Sequence, residues 1–105
     1  METGEYIVLT FEFRKEKNGW SGYCEELGTA VDGRTLPETR KLLKEFVELH
    51  LDSLEDIGER ERFFQKHNIK LHRGKHASRA RVSVPLNDEV LTSSHIHELS
   101  GVSAN

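Results

Sequence analysis

Apolar residues recur at three- and four-residue spacing through the middle of the chain, between Thr35 and Gly58. The repeating positions are Leu36, Leu43, Val47, His50, Leu54 and Ile57, flanked by Leu42, Phe46, Leu49 and Leu51. At about 100° per residue, this apolar arc covers about half of a helix circumference, which is more than a helix lying on one sheet needs. The pattern predicts one long amphipathic helix, part of whose apolar arc faces a second subunit or the tail.

Both ends of this helix carry sequence signals. Thr35 and Glu38 have the spacing of a capping box, in which the hydroxyl accepts from a first-turn amide and the carboxylate reaches back. Pro37 falls in the first turn, where its missing N–H costs nothing. Gly58 supplies a residue that adopts a left-handed conformation at the other end.

Before the helix, the hydrophobic pattern changes to a period of two. Within residues 5–14, one face of a predicted strand carries Ile7, Leu9, Phe11 and Phe13. The Asn18-Gly19 pair predicts a hairpin turn, and residues 20–25 then return as a second, antiparallel strand. Gly22 within that strand indicates a bulge or a close approach by another backbone. Ala30 and Val31 form a third, brief strand, so the predicted order is strand, strand, strand, helix.

After Gly58, the pattern predicts shorter elements. Residues 59–68 indicate a second helix carrying Phe63 and Phe64, followed by a short strand at 69–71. Residues 73–78 form a polar hinge. Residues 79–86 alternate again, and Pro85 confines this strand to the edge of a sheet. So short a strand must join a sheet, either its own or that of a partner.

These elements predict an α+β fold: a three-stranded antiparallel sheet with one long helix, then a short helix and a terminal strand. Residues 1–72 form the main domain. Residues 73–105 provide the hinge, the edge strand and a frayed end over residues 99–105. With 105 residues and 35% hydrophobic content, the core is modest, and we expect a homo-oligomer.

Composition and charge exclude several classes of protein. The formal net charge of -3 gives no basic footprint for non-specific binding to nucleic acid or membrane. No apolar run approaches the roughly 20 residues that span a bilayer, and the N-terminus lacks the pattern of a secretory signal. The single cysteine, Cys24, cannot form an internal disulfide and fits a reducing cytosol. We expect a cytoplasmic protein.

The sequence offers no convincing catalytic pair. Glu25 and Glu26 are adjacent, so on a strand they point to opposite faces and cannot act together. Cys24 lies on an alternating strand, where a small buried hydrophobe is a commoner role than a nucleophile. We expect no enzyme, although a histidine-centred active site is a third, weaker hypothesis.

The six histidines are scattered. His95 and His97 share one face of a strand, whereas His67, His72 and His76 cluster beyond the helix. Zinc needs three or four converging ligands, and nothing in the sequence fixes that geometry, so we expect no metal or cofactor. His50 lies in the apolar arc, where we prefer an interface or core histidine to a pH-sensing switch.

The surface predicted to contact another subunit or partner combines residues from the helices and the edge strand. Its members are Phe46, His50, Leu51, Phe63, Phe64, Val82, Val84 and Leu86.

The first 72 residues resemble the HicB-like family of antitoxins. The resemblance rests on the hairpin with a glycine turn, the aromatic-rich second strand, the entry Gly33-Arg34-Thr35-Leu36-Pro37-Glu38 and the long amphipathic helix. The segment FFQKHNIKL is also similar to the end of the shorter family members. Thr39 stands where the family usually has alanine.

The resemblance implies a partly degraded RNase H-like domain that neutralises a small mRNA-cleaving toxin by covering its active site. The acidic second strand suits such a basic partner by sign. Many family members end in a DNA-binding module, but a ribbon-helix-helix needs roughly 40 residues by ordinary element lengths, and only 27 remain from Arg79. DNA binding is therefore not expected. The alternative is a stand-alone homo-oligomeric scaffold of the same fold with no toxin partner.

Overall fold

The computed structural model describes residues 4–73, 83–87 and 89–99, with six strands and two helices in those ranges. In chain order, the elements are β1 (Glu5–Glu16), β2 (Gly19–Cys24), β3 (Thr29–Gly33), α1 (Leu36–Asp56), α2 (Arg60–Lys66), β4 (His72–Arg73), β5 (Ser83–Asn87) and β6 (Val90–Leu99). The α+β class, the long helix and the short second helix are confirmed.

The strands form one antiparallel sheet in the order β3-β2-β1-β6-β5, while β4 pairs with the start of β1. The sheet is thus larger than the predicted three strands. β6 pairs with β1 along ten residues, from Glu5 opposite Leu99 to Arg14 opposite Val90. Leu99, which the sequence assigns to a frayed tail, instead ends this interior strand and is buried; residues 100–105 lie outside the described residues. β5 forms the edge of the sheet, where the missing N–H of Pro85 is tolerated.

The core lies between α1 and one face of the sheet. Ile7, Leu9, Phe11 and Phe13 of β1 are buried on this face, as the alternation predicts. The helix residues packed against them are Leu43, Val47, Leu51 and Leu54. Two apolar layers therefore meet along the full length of β1.

The N-terminus of α1 has a modified capping box. Thr35 Oγ1 accepts from the N–H of Glu38 at 3.2 Å, as predicted. The Glu38 carboxylate, however, accepts from the N–H of Arg34 at 3.4 Å, one residue before the expected partner. The box therefore joins the helix to the end of β3.

The C-terminus of α1 ends in a Schellman motif. Gly58 adopts φ 73°, and its N–H donates to the carbonyl of Glu55 at 3.1 Å. The N–H of Glu59 donates to the carbonyl of Leu54 at 2.9 Å. These two bonds satisfy the last carbonyls of the helix and turn the chain into α2.

Two strand glycines allow β2 and β3 to approach α1 closely. A Cβ atom at Gly22 would lie 3.1 Å from Cγ2 of Thr39 and 3.1 Å from the Phe13 ring. A Cβ atom at Gly33 would meet the hydroxyl of Thr39 directly. Thr39 itself is completely buried, and its hydroxyl donates to the carbonyl of Thr35 at 2.8 Å. The close approach that Gly22 predicts is thus an approach of the helix.

Candidate functional site

The face of the sheet opposite α1 is not covered by either helix in the part of the chain that the structure describes. We call it the open face, and its members are Tyr6, Val8, Thr10, Glu12, Tyr23, Thr92, Ser94 and Ile96. Alternation along each strand and the β1–β2 and β1–β6 registers place these residues on one side, and none of them is buried. Val8 is 38% exposed and Tyr23 is 43% exposed, so the face offers apolar area to solvent. A half-apolar sheet face of this kind is a surface on which another protein can pack.

Carboxylates surround the apolar part of the open face. Glu12 lies opposite Tyr23 and forms an ion pair with Arg14 at 2.9 Å. Glu98 and Asp32 are exposed on the same side of the sheet. Acidic groups therefore predominate around Tyr23, as the sequence of the second strand indicates.

Glu26 extends the hydrogen bonding of β1 beyond the end of β2. Its two carboxylate oxygens accept from the N–H of Thr10 at 2.8 Å and from the Thr10 hydroxyl at 2.9 Å. The N–H of Glu25 donates to the carbonyl of Thr10 at 3.0 Å. Glu25 remains exposed. The two adjacent glutamates thus have separate roles, and Glu26 orders the turn beside the open face.

A second exposed apolar surface lies on α1. We call it the outer stripe, and it consists of Phe46, Leu49, His50 and Ile57. Phe46, Leu49 and Ile57 are 48%, 63% and 69% exposed. His50 makes an edge-to-face contact with Phe63 at a centroid distance of 5.4 Å, which fixes its ring against α2. This stripe is the part of the apolar arc that the sheet does not cover.

The other predicted contact residues have different environments. Leu51 and Phe64 are 3% and 5% exposed and belong to the core, so they are removed from the candidate surface. They are buried because α2 folds back against α1 and the two helices share one apolar cluster. Phe63 is partly buried and stacks on His67 at 4.0 Å. Val84 and Leu86 belong to the edge strand β5, and Val82 lies outside the described residues.

A groove of about 290 Å³ lies between α1 and β6. Its floor includes the rings of Phe11 and Phe13, and its helix side carries Arg40, Lys41 and Lys44. The Arg40 guanidinium lies 5.0 Å from the centre of the Phe13 ring, in a cation–π arrangement. The groove is therefore apolar at its base and basic along one wall.

Next to this groove, one side chain of α1 meets two from β6. Ligand atoms of Glu48, His95 and His97 all lie within 4.8 Å of one another, and all three residues are half-buried. The His95 ring stacks on Phe11 at 4.7 Å. Burial lowers the pKa of His97, an effect that the nearby carboxylates, led by Glu48, partly oppose. The sequence places His95 and His97 on one strand face but gives no sign that Glu48 lies above them.

Cys24 is unsuited to nucleophilic chemistry. Its side chain is completely buried among core residues. Burial raises the pKa of its thiol to about 11, so the group is a neutral thiol near pH 7. Its role is that of a small core residue.

Comparison of the chain with protein-family models, curated proteins and solved structures gave no significant match. Of the described helices, none has both the length and the apolar composition needed to cross a membrane. The functional argument therefore depends on the residues of this chain alone.

Proposed function

We propose that this protein is a non-catalytic, antitoxin-like binding module that covers the active site of a small, basic, RNA-cleaving partner. The observation that carries the proposal is the open face, where exposed Val8 and Tyr23 are surrounded by carboxylates. Apolar area provides affinity, and surrounding charge of one sign selects a partner of the opposite sign. An RNA-cleaving protein must present cationic groups to phosphate, so it has the complementary surface.

The fold supports the same proposal. A β-β-β-α arrangement with the helix on one sheet face is what the HicB-like resemblance implies, and it leaves the other face for a partner. The structured base of that face, including the Glu26–Thr10 contacts, means that little ordering is required on binding. We place this activity in the cytosol, where a single buried cysteine and no disulfide are the ordinary condition.

The first test is capture of the partner. The full chain, tagged at one end, is purified from its native cells, and stoichiometric companions are identified by mass spectrometry. We expect a small basic protein whose cleavage of RNA stops when the purified chain is added. Recovery of the chain alone, expressed and folded, would contradict the proposal.

The second test locates the contact. Tyr23→Ala removes an exposed aromatic group from the open face and is expected to weaken binding by about 5- to 30-fold, as truncation of an interface aromatic commonly does. Leu49→Ala on the outer stripe is the matched control and should bind as the wild type does. Higher salt should slow association, because the complementarity is electrostatic. Equal losses in the two variants would show that the open face is not the contact.

A stand-alone homo-oligomer is the second candidate, and the outer stripe favours it. Phe46, Leu49 and Ile57 expose apolar area along one side of α1, which a second copy could cover. Sedimentation equilibrium of the wild type and of Leu49→Glu tests this candidate. Dissociation of an oligomer by the charged substitution, together with no captured partner, would favour the scaffold function.

A further inference from the structure

We propose that Glu48, His95 and His97 form a binding site for a divalent transition-metal ion, with Zn²⁺ as the best fit. Two imidazoles and one carboxylate converge from two different elements, α1 and β6, with all ligand atoms within 4.8 Å of one another. This site is separate from the open face, because the two histidines lie on the helix side of the sheet.

The backbone that carries these ligands is rigid. β6 is an interior strand, paired on one side with β1 and on the other with β5. His95 and His97 stand opposite Leu9 and Ile7, two completely buried residues, and they share a face because they are two positions apart. Glu48 follows the completely buried Val47 on α1, so the packing of the helix sets its height above the strand. The stack of His95 on Phe11 fixes the plane of one imidazole.

The distances suit closure around an ion. A tetrahedral zinc site has ligand atoms about 2.0–2.1 Å from the metal, and hence about 3.3 Å from one another. Ligand atoms within 4.8 Å reach that spacing by side-chain rotation alone. Three protein ligands leave a fourth position for water or another ligand, which is the arrangement of an open zinc site.

The chemistry of the donors selects the class of metal. Two imidazole nitrogens favour zinc and its neighbours over Mg²⁺ and Ca²⁺, which prefer oxygen ligands. Asp52 and Glu55 also act electrostatically on His97, and they add negative charge near the cluster. Lys41 and Lys44 line the adjoining groove and oppose this charge from the other end. The carboxylate of Glu48 supplies the negative charge at the ligand position itself.

The test uses the purified full chain after removal of metals with a chelator. Titration with Co²⁺, followed by absorption spectroscopy, reports the ligand set, and calorimetric titration with Zn²⁺ gives affinity and stoichiometry. We expect one ion per chain, with the absorption of four- or five-coordinate cobalt. His97→Gln and Glu48→Gln should each lose at least about tenfold in affinity, since even weaker outer-shell changes cost that much.

Controls separate this site from adventitious binding. His67→Gln removes a histidine that lies outside the cluster, and Glu45→Gln removes an exposed carboxylate from the same helix; both should bind as the wild type does. Far-UV circular dichroism establishes that each variant is folded, and Glu48→Gln provides the result if a histidine variant is not. The proposal is overturned if the wild type takes up no stoichiometric Zn²⁺, or if folded His97→Gln and Glu48→Gln retain wild-type affinity.

Discussion

Replacement of Gly33 by alanine tests how closely β3 is packed against α1. A Cβ atom at this position would meet the hydroxyl of Thr39, and it would lie 3.1 Å from the backbone N and Cα of the same residue. Gly33 is not among the residues with positive φ, so alanine imposes no backbone strain there. The cost of the substitution therefore comes from the contact with Thr39.

The magnitude follows from two opposing effects. Overpacking of a filled site costs about 1–3 kcal/mol. Alanine also restricts the unfolded chain, which stabilises the fold by about 0.4–1 kcal/mol. We expect Gly33→Ala to lower the free energy of unfolding by about 1–2 kcal/mol.

Thr39→Ala isolates the contact. This change removes a buried methyl group and the hydroxyl that donates to Thr35, and it costs about 1–2 kcal/mol by itself. In that background the hydroxyl no longer opposes a Cβ at Gly33, and only the 3.1 Å backbone contacts remain. The cost of Gly33→Ala should then fall by at least about 1 kcal/mol, which is a coupling typical of residues in contact.

The assay is urea denaturation of the four proteins of this double-mutant cycle. The chain has one tryptophan, Trp20, and it pairs with Gly33 across β2 and β3, so its fluorescence reports on the region concerned. Circular dichroism of the same samples follows the helix. If the two substitutions add to within about 0.5 kcal/mol, the close contact between Gly33 and Thr39 is refuted.

Two further predictions concern stability. Because the pKa of the buried Cys24 thiol is about 11 in the folded protein against 9.0 for an ordinary thiol, its contribution is complete below pH 9.0 and is lost as pH rises towards about 11. Between pH 8 and about 10.5 this loss amounts to about 2 kcal/mol, so urea titrations should show a decline that is smaller by that amount in Cys24→Ala; equal declines would mean that the thiol pKa is not raised. Thr35→Ala removes the hydroxyl that accepts from the N–H of Glu38 and should cost about 1 kcal/mol, whereas Thr35→Ser should retain most of the stability. Thermal denaturation compares the three proteins, and equal midpoints for Thr35→Ala and the wild type would contradict the capping role.

The elements that the sequence predicts well are those with local signals. The helix from Leu36 to Asp56 has a capping residue, a glycine end and a repeating apolar stripe, and all three are found in the structure. β6 has no such signal, because Ser93, His95 and His97 occupy positions on its core side where apolar residues would be expected. Its place beside β1 is decided by long-range pairing, which the periodicity of a single strand does not encode.

The same limit applies to the candidate sites. The apolar arc of α1 identifies both core and surface positions, but only the position of the sheet distinguishes buried Leu51 from exposed Leu49. The His95 and His97 pair is visible in the sequence as two residues on one strand face. Glu48 joins them only after the helix is laid across the sheet, so the three-residue cluster could not be predicted from spacing.

The pairing of β1 with β6 also determines when this protein can finish folding. Arg14 pairs with Val90 and Glu5 with Leu99, so the first strand to leave the ribosome waits for the last. Until then, the hairpin and α1 exist with one side of β1 open, and closing so long a loop is slow. An interrupted translation product would carry that unpaired strand edge, a feature that promotes aggregation and recognition by proteases. Completion of the sheet therefore makes synthesis of β6 a checkpoint for the survival of the molecule.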